Sequence, residues 1–227
     1  MNIKGAIFDL DGTLMDSMFI WETIGSEYLI SRGLIPEEGL NKIFKNMSII
    51  QAAEYYRKNY GLTESVETIV DEVNKMIEHL YFYNVKAKDG VLEFLDELKN
   101  QGVKMCVATA TDKYMAKAVL KRNGILDYFC GILTCTEVGS GKDTPLIYEE
   151  GLKLLNTSKD ETFIFEDALY AIKTAKQAKF NVVAVYDKFE ENESDKIKKI
   201  CDYYIKSFRN WGEVVNEKGI DNSRVRL

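Results

Sequence analysis

Two aspartates follow an apolar run near the start of the chain, and their spacing suggests carboxylate chemistry. The run Ala6–Phe8 has the character of a buried strand, and Asp9 and Asp11 come just after it. Carboxylates two positions apart on extended backbone can face the same pocket. Because crowded anions repel one another, such a pair needs a divalent cation or a shared proton. Open α/β sheets bind ligands at this end of their strands, so we predict a site there.

Further polar groups follow in order, at strand ends or in a loop before a helix. Thr109 ends one apolar run, Lys142 lies in a loop with glycines, and Glu166 and Asp167 end another run. Alone, Thr109 is typical of a helix cap and Lys142 of a solvated cation. The acid pair favours a metal site, because capping a helix needs only one carboxylate.

Together these groups fit phosphoryl transfer. A carboxylate can attack phosphorus, while a lysine and a cation neutralise the phosphoryl oxygens and a hydroxyl with backbone N–H groups completes the cradle. Hard oxygen ligands favour Mg²⁺ over zinc. The lysine loop is not a nucleotide-binding P-loop, because Thr136 and Asp143 stand where that motif needs Gly and Ser or Thr. His79 is the only histidine, and nothing near it resembles a nucleophile turn, so catalysis with a histidine base is not expected.

Composition restricts the classes of binding partner and the cellular environment that we expect. The net charge of −6 over 227 residues argues against nucleic acid, and no apolar segment is long enough to span a membrane. Asp9 and Asp11 interrupt the first apolar run, so it is not expected to be a secretory signal. The four scattered cysteines predict free buried thiols in a reducing cytoplasm. The oligomeric state stays open, with a monomer favoured.

The elements that must position these groups alternate between strand and helix from about Asp89 onward, which predicts a doubly wound, Rossmann-like parallel sheet. The stretch between the first strand and Asp89 reads as helices only. We therefore predict an α/β core domain over 1–17 and 88–227, with an inserted all-helical cap domain over 18–87.

The ordered motifs resemble the haloacid dehalogenase superfamily over nearly the whole chain. Its first motif is matched by the string Asp9-Leu10-Asp11-Gly12-Thr13-Leu14. The helical insert looks like the C1 cap of the phosphoglycolate phosphatase and beta-phosphoglucomutase branch. The run Lys142–Leu146 is similar to the family's K-P-x-P-D run but departs from it at Asp143 and Leu146, which leaves the anchoring of the loop open.

The resemblance implies a role for each motif residue. Asp9 would be the nucleophile that forms an aspartyl-phosphate, and Asp11 the general acid and base, with its carbonyl on Mg²⁺. Phosphate binding would fall to Asp9, Thr109, Ala110 and Lys142, and metal binding to Asp9, Asp11, Asp167 and Glu166.

The cap residues bear on the choice between hydrolase and mutase. By the same resemblance, beta-phosphoglucomutase has a histidine at the position of Trp21 and a phosphate-binding arginine at the position of Ile49. A mutase must hold a second phosphate, so both departures favour a hydrolase. The residues that could line the cap side and select the substrate are Trp21, Lys45, Asn46, Ser48 and Gln51, although Trp21 fits the core of the cap equally well.

The sequence therefore predicts a Mg²⁺-dependent phosphatase of a small phosphorylated metabolite. A sugar-phosphate mutase is the alternative within the enzymes. From another class, a receiver-like regulatory protein also combines acidic residues, a phosphorylated aspartate, a threonine and a lysine on a doubly wound sheet. Receiver domains are much shorter and have no helical insert after the first strand.

Overall fold

The computed structural model describes residues 3–44, 47 and 49–212. The chain divides into two compact units, Met1–Asp16 with Lys86–Leu227, and Ser17–Val85. The second unit was expected over 18–87 and is slightly shorter. The difference arises because Met15 and Asp16 pair with Ala87 and Lys86 in an antiparallel ribbon that belongs to the first unit.

The first unit is built on a parallel sheet. Its strands are β1 (Gly5–Phe8), β4 (Lys104–Thr109), β5 (Ile132–Thr134), β6 (Thr162–Glu166), β7 (Asn181–Val185) and β8 (Tyr203–Ile205), and the antiparallel ribbon is β2 (Met15–Asp16) with β3 (Lys86–Ala87). The strands of the sheet are ordered β5-β4-β1-β6-β7-β8. The chain runs from the centre to one edge and then returns to the other side of β1, so the sheet is doubly wound.

The helices of this unit follow the strands, which confirms the predicted Rossmann-like alternation. They are α5 (Val91–Asn100), α6 (Lys113–Arg122), α7 (Cys135–Val138), α8 (Leu146–Leu155), α9 (Leu169–Gln177) and α10 (Ser194–Ile200). Short 3₁₀ segments lie at Leu126–Tyr128, Lys159–Glu161, Lys188–Glu193 and Phe208–Asn210.

Each face of the sheet is covered by its own apolar cluster, because alternate strand residues point to opposite faces. On one face Ile7 and Ile164 pack with side chains from α8, α9 and α10. Gly151 lets α8 come close, since a Cβ there would lie 2.6 Å from Ile7 Cδ1. On the other face Phe8 stacks on Phe165, with ring centroids 4.4 Å apart.

Phe94 of α5 joins that second face into an aromatic cluster. Its ring lies 5.4 Å from Phe165, 5.1 Å from Phe208 and 5.4 Å from Trp211, and its side chain is 3 % exposed. The cluster ties α5 and the segment after β8 to the two central strands, whose ends carry the site residues.

In the second unit, the described residues form helices only: α1 (Phe19–Ser31), α2 (Leu40–Phe44), α3 (Ile49–Tyr60) and α4 (Val66–Tyr83). Ser65 caps the start of helix α4, because its hydroxyl oxygen accepts the Thr68 N–H at 3.2 Å. Buried tyrosines link the helices. The Tyr28 hydroxyl donates to Glu72 at 2.6 Å, and the Tyr56 hydroxyl donates to the Gly25 carbonyl at 3.0 Å.

The four cysteines all lie in the described ranges and form no disulfide. The prediction of buried thiols holds only for Cys106, because Cys130 is exposed and Cys135 and Cys201 are partly exposed. His79 is exposed and its ring lies 4.8 Å from that of Tyr83.

Within the described part of the chain, we find no helix whose length and apolar content would suffice to cross a bilayer.

The aromatic cluster should dominate the stability of the sheet. We expect Phe94→Ala to lower the free energy of unfolding by about 3–5 kcal/mol, because it empties a well-packed site. Leu92→Ala on the same helix is the matched control, since Leu92 is 46 % exposed, and it should change stability by no more than about 0.5 kcal/mol. Urea unfolding followed by circular dichroism measures both, and equal losses would contradict the cluster's role.

Candidate active site

The turn after β1 places Asp9 at the carboxyl end of the central strand. The Asp9 N–H donates to the Phe165 carbonyl at 2.9 Å, which continues the pairing with β6 one residue beyond the end of β1. Gly12 then takes a φ of 76°, a left-handed conformation that favours glycine. The chain folds back so that the Leu10 carbonyl accepts the Met15 N–H at 2.8 Å. This tight turn leaves Asp9 buried and Asp11 half-buried.

Lys142 lies between two carboxylates. Its ammonium contacts Asp9 Oδ1 and donates to Glu166 Oε1 at 2.6 Å, and the lysine is only 5 % exposed. The same Glu166 oxygen accepts from the Tyr148 hydroxyl of α8 at 2.9 Å. The lysine that looked solvent-facing by its local sequence is therefore a buried bridge between the ends of β1 and β6.

The loop that carries Lys142 is anchored by its own hydroxyls. Ser140 and Thr144 are joined by a hydrogen bond of 2.6 Å between their side-chain oxygens, and Thr144 also binds the Gly141 carbonyl through its N–H at 3.3 Å. Asp143 and Leu146, which depart from the K-P-x-P-D run, are both exposed. The structure thus supplies the local anchoring that these departures left open.

Burial sets the electrostatics of the cluster. It raises the pKa of Asp9, and the charge of Glu166 raises it further, while Lys142 opposes both. Burial, then Asp9 and Glu166, raises the pKa of Asp167 well above its usual range. Burial alone would lower the pKa of Lys142, but the two carboxylates outweigh it and hold that pKa above the ordinary value. The carboxylates therefore outnumber the positive charge that faces them.

The surplus of negative charge fits a divalent cation. Asp9, Glu166 and Asp167 each offer an oxygen, and these oxygens lie within 4.8 Å of one another. Glu166 Oε2 is buried and has no hydrogen-bond partner, although buried polar atoms normally have one. The Thr13 hydroxyl donates to Asp167 Oδ1 at 3.0 Å and so fixes that carboxylate. All the candidate ligand atoms are oxygens, and one of them is buried without a hydrogen-bond partner. Such a set of ligands suits a hard cation.

The loop after β4 brings a second group of predicted residues to the same edge. Thr109 is fully buried, and its hydroxyl oxygen accepts the Thr111 N–H at 3.0 Å, while Ala110 between them is exposed. The Thr111 hydroxyl donates to Asp11 Oδ2 at 2.5 Å. Asp11 is therefore held by Thr111 in the loop after β4, whereas Asp9 is held by Lys142.

Sequence reasoning missed four side chains that support the site. Thr13 belongs to the quoted motif, and Thr111 repeats Thr109 at a spacing of two, so both carried a signal that was not used. Tyr148 reaches Glu166 from α8, and Lys88 acts on Asp167 by lowering its pKa while it pairs with Asp187 at 2.8 Å. Neither Tyr148 nor Lys88 belongs to a local sequence motif, because the carboxylates on which they act are distant in the sequence.

The predicted cap residues are only partly described. Trp21 is 45 % exposed, so it is not a core residue of its unit, and Gln51 is exposed on α3. Lys45, Asn46 and Ser48 lie outside the described residues. The role of these side chains in choosing a substrate stays a prediction.

A family model described as haloacid dehalogenase-like hydrolase matches residues 6–185. The chain belongs to this family. Hexitol phosphatase A of Escherichia coli is 30% identical over 159 residues, which cover 68% of this chain and 70% of that protein. The phosphorylated carbohydrates phosphatase of Thermotoga maritima is 26% identical over 154 residues, 68% of this chain and 71% of that protein.

The fold of this haloacid dehalogenase-like hydrolase also matches solved structures. A family IA, variant 3 hydrolase from Entamoeba histolytica superposes with a TM-score of 0.77, covering 96% of this chain and 98% of that one at 21% identity. Family membership makes the chain an enzyme, and it displaces the receiver-like alternative.

Cation binding should be visible in the stability of this hydrolase. If the clustered carboxylates hold the cation, raising Mg²⁺ to 100 times its dissociation constant should stabilise the fold by about 2.7 kcal/mol, because the cluster is assembled only in the folded state. Asp167→Asn should abolish this gain. In EDTA, however, the variant should be at least as stable as the wild type, since one repelling carboxylate is gone.

Thermal unfolding with and without Mg²⁺ measures these effects. Asp195→Asn is the matched control, because its side chain is 91% exposed, and it should keep the full response to Mg²⁺. An identical response in Asp167→Asn would show that the cation binds elsewhere.

Proposed function

We propose that this haloacid dehalogenase-like hydrolase is a Mg²⁺-dependent phosphatase that hydrolyses a small phosphorylated metabolite through an aspartyl-phosphate on Asp9. The observation that carries the proposal is the bridge of Lys142 between Asp9 and Glu166, next to Asp167. It combines an oriented carboxylate, a fixed positive charge and a set of cation ligands at the end of the central strand.

In the first step, an Asp9 carboxylate oxygen attacks phosphorus and the bond from phosphorus to the ester oxygen breaks. Asp11 gives a proton to the departing oxygen, which leaves as an alcohol. Lys142 holds Asp9 through its contact with Oδ1. The Thr109 oxygen accepts the Thr111 N–H, so its own hydrogen can be donated to a phosphoryl oxygen, and the Ala110 N–H would supply a second donor.

In the second step, water attacks the phosphorus of the aspartyl-phosphate. Asp11, now ionised, takes a proton from that water, and the bond between phosphorus and the Asp9 oxygen breaks. Inorganic phosphate leaves, and both aspartates return to their starting forms. The two steps together consume one water for each ester.

Asp9, Asp167 and the Asp11 carbonyl would hold the cation, with Glu166 as a direct ligand or a partner through water. Bound there, Mg²⁺ supplies positive charge that favours the ionised form of Asp9 and neutralises the phosphoryl oxygens. The residues fit this role because the cluster has more carboxylates than cations and one carboxylate oxygen without a hydrogen-bond partner.

The names of the relatives favour a phosphorylated sugar or sugar alcohol as the substrate class. One relative is named for hexitol phosphates and the other for phosphorylated carbohydrates. Each covers about two thirds of this chain, so the likeness supports the class of substrate and not one compound. A cytoplasmic location and a monomeric state remain predictions.

A sugar-phosphate mutase is the second candidate. By the resemblance, beta-phosphoglucomutase has a histidine and an arginine where this chain has Trp21 and Ile49. Their absence favours release of phosphate over its transfer to a second position. The product decides between them. A phosphatase releases inorganic phosphate in proportion to the ester consumed, whereas a mutase returns an isomeric ester.

The nucleophile can be tested directly. Asp9→Asn keeps the shape but removes the attacking charge, so kcat should fall on the order of 10⁴ to 10⁶-fold, the scale seen when a nucleophile is lost. Acid quench and intact-mass measurement should find a phosphorylated wild type and no phosphorylation of Asp9→Asn. Asp195→Asn serves again as the exposed control. Retention of near-normal kcat by Asp9→Asn would refute the mechanism.

Substitutions in the inserted unit should change substrate choice, whereas substitutions of the active-site carboxylates should affect all substrates alike. We expect Trp21→Ala to change the ratios of kcat/KM across a panel of sugar and sugar-alcohol phosphates, because the resemblance to C1-cap enzymes assigns substrate selection to residues of the inserted unit. Asp167→Asn should lower kcat/KM for every ester by a similar factor. If Trp21→Ala leaves all ratios unchanged while folded, Trp21 has no part in specificity.

A further inference from the structure

The Thr111 hydroxyl is a polar group at the site for which the proposed chemistry has no role. It is 9 % exposed, and it donates to Asp11 Oδ2 at 2.5 Å across 100 positions of sequence. Its backbone is fixed too, because the Thr111 N–H donates to the Thr109 hydroxyl oxygen at 3.0 Å. A side chain held at both ends in this way can fix its partner in one orientation.

Asp11 needs such a restraint. It is half-buried and lies on the turn after β1, beyond the last residue that pairs with β6. A general acid must bring its proton within about 2.6–3.2 Å of the receiving oxygen. Because Asp11 Oδ2 accepts the Thr111 hydroxyl, the proton of a protonated Asp11 would be carried by the other carboxyl oxygen, and the hydrogen bond fixes the direction in which that oxygen points.

We propose that Thr111 is a positioning residue that orients the Asp11 carboxyl for proton transfer to the departing ester oxygen. The inference rests on the proposed function, because it assumes that Asp11 is the general acid. In this proposal Thr111, in the loop after β4, acts on catalysis through Asp11 and not through the phosphoryl group or the cation.

Thr13 offers a matched comparison. Its hydroxyl donates at 3.0 Å to Asp167 Oδ1, so the same kind of donor acts there on a carboxylate of the cation cluster. Partners that orient metal ligands tune metal affinity. The two threonines should therefore differ in effect, with Thr13 acting on the Mg²⁺ requirement and Thr111 on proton transfer.

The dependence on the leaving group tests this role. An alkyl phosphate such as glycerol 3-phosphate needs a proton on its departing oxygen, whereas p-nitrophenyl phosphate releases a stable anion. Thr111→Val should lower kcat/KM for the alkyl ester by roughly 10-fold or more, part of the 10² to 10⁴-fold that general acid catalysis supplies. The aryl ester should lose less than about 3-fold, so that the ratio between the two esters changes.

Further variants test whether the effect depends on the Thr111 hydroxyl and whether it passes through Asp11. Thr111→Ser retains the hydroxyl and should restore the alkyl activity, and Thr111→Ala removes the hydroxyl in a second way if the valine variant fails to fold. In an Asp11→Asn background, Thr111→Val should add less than about a 2-fold loss, because its effect passes through that carboxyl. Thr13→Val should raise the Mg²⁺ concentration required and leave the alkyl-to-aryl ratio unchanged at saturating Mg²⁺.

Three results would overturn the role of Thr111 alone. They are an equal loss for both esters, a raised KM for every ester, which would mean that Thr111 binds the phosphoryl group, and an undiminished effect in the Asp11→Asn background. A wild-type chain that released phosphate from neither ester would instead overturn the proposed function, and this inference with it. The two failures are therefore distinguishable in one set of assays.

Discussion

The ammonium of Lys142 between Asp9 and Glu166 is the interaction on which the rest of the site depends. Three carboxylates are buried within a few ångströms of one another, an arrangement that burial and mutual repulsion both disfavour. Lys142 offsets part of that cost but leaves a net negative charge among the three carboxylates. The same charge imbalance that disfavours their burial would favour the binding of a cation there.

The sheet makes this crowding possible. Because β1 lies between β4 and β6, the ends of three parallel strands meet at the point where the winding direction changes. Asp9 comes from the central strand, Thr109 from one neighbour and Glu166 from the other. Packing on both faces holds these strand ends in register, through Ile7 and Ile164 on one side and the stacked rings of Phe8 and Phe165 on the other. The apolar core thus fixes the spacing of the polar groups, although it contributes no chemistry.

Hydroxyl groups form a second layer of support. Thr13 holds Asp167, Thr111 holds Asp11, and Tyr148 holds Glu166. Each hydroxyl donates to one carboxyl oxygen of its partner and so fixes the orientation of that side chain. Ser140 and Thr144 act on the backbone instead, closing the loop that presents Lys142. A site with no histidine can in this way keep four acidic side chains in defined orientations.

Much of this protein was determined by its sequence alone. Local patterns suffice to predict the alternation of strands and helices, the helical insert, and the acidic residues at strand ends, because periodicity and residue type act within a few positions. The order of Asp9, Thr109, Lys142 and Glu166-Asp167 was enough to suggest the family. Only the tertiary structure decided which groups meet. Lys142 has the local sequence of a solvated residue, yet it is buried against Asp9 across 133 positions, and Thr111 reaches Asp11 across 100. Such contacts depend on strand order and packing, which no local pattern encodes.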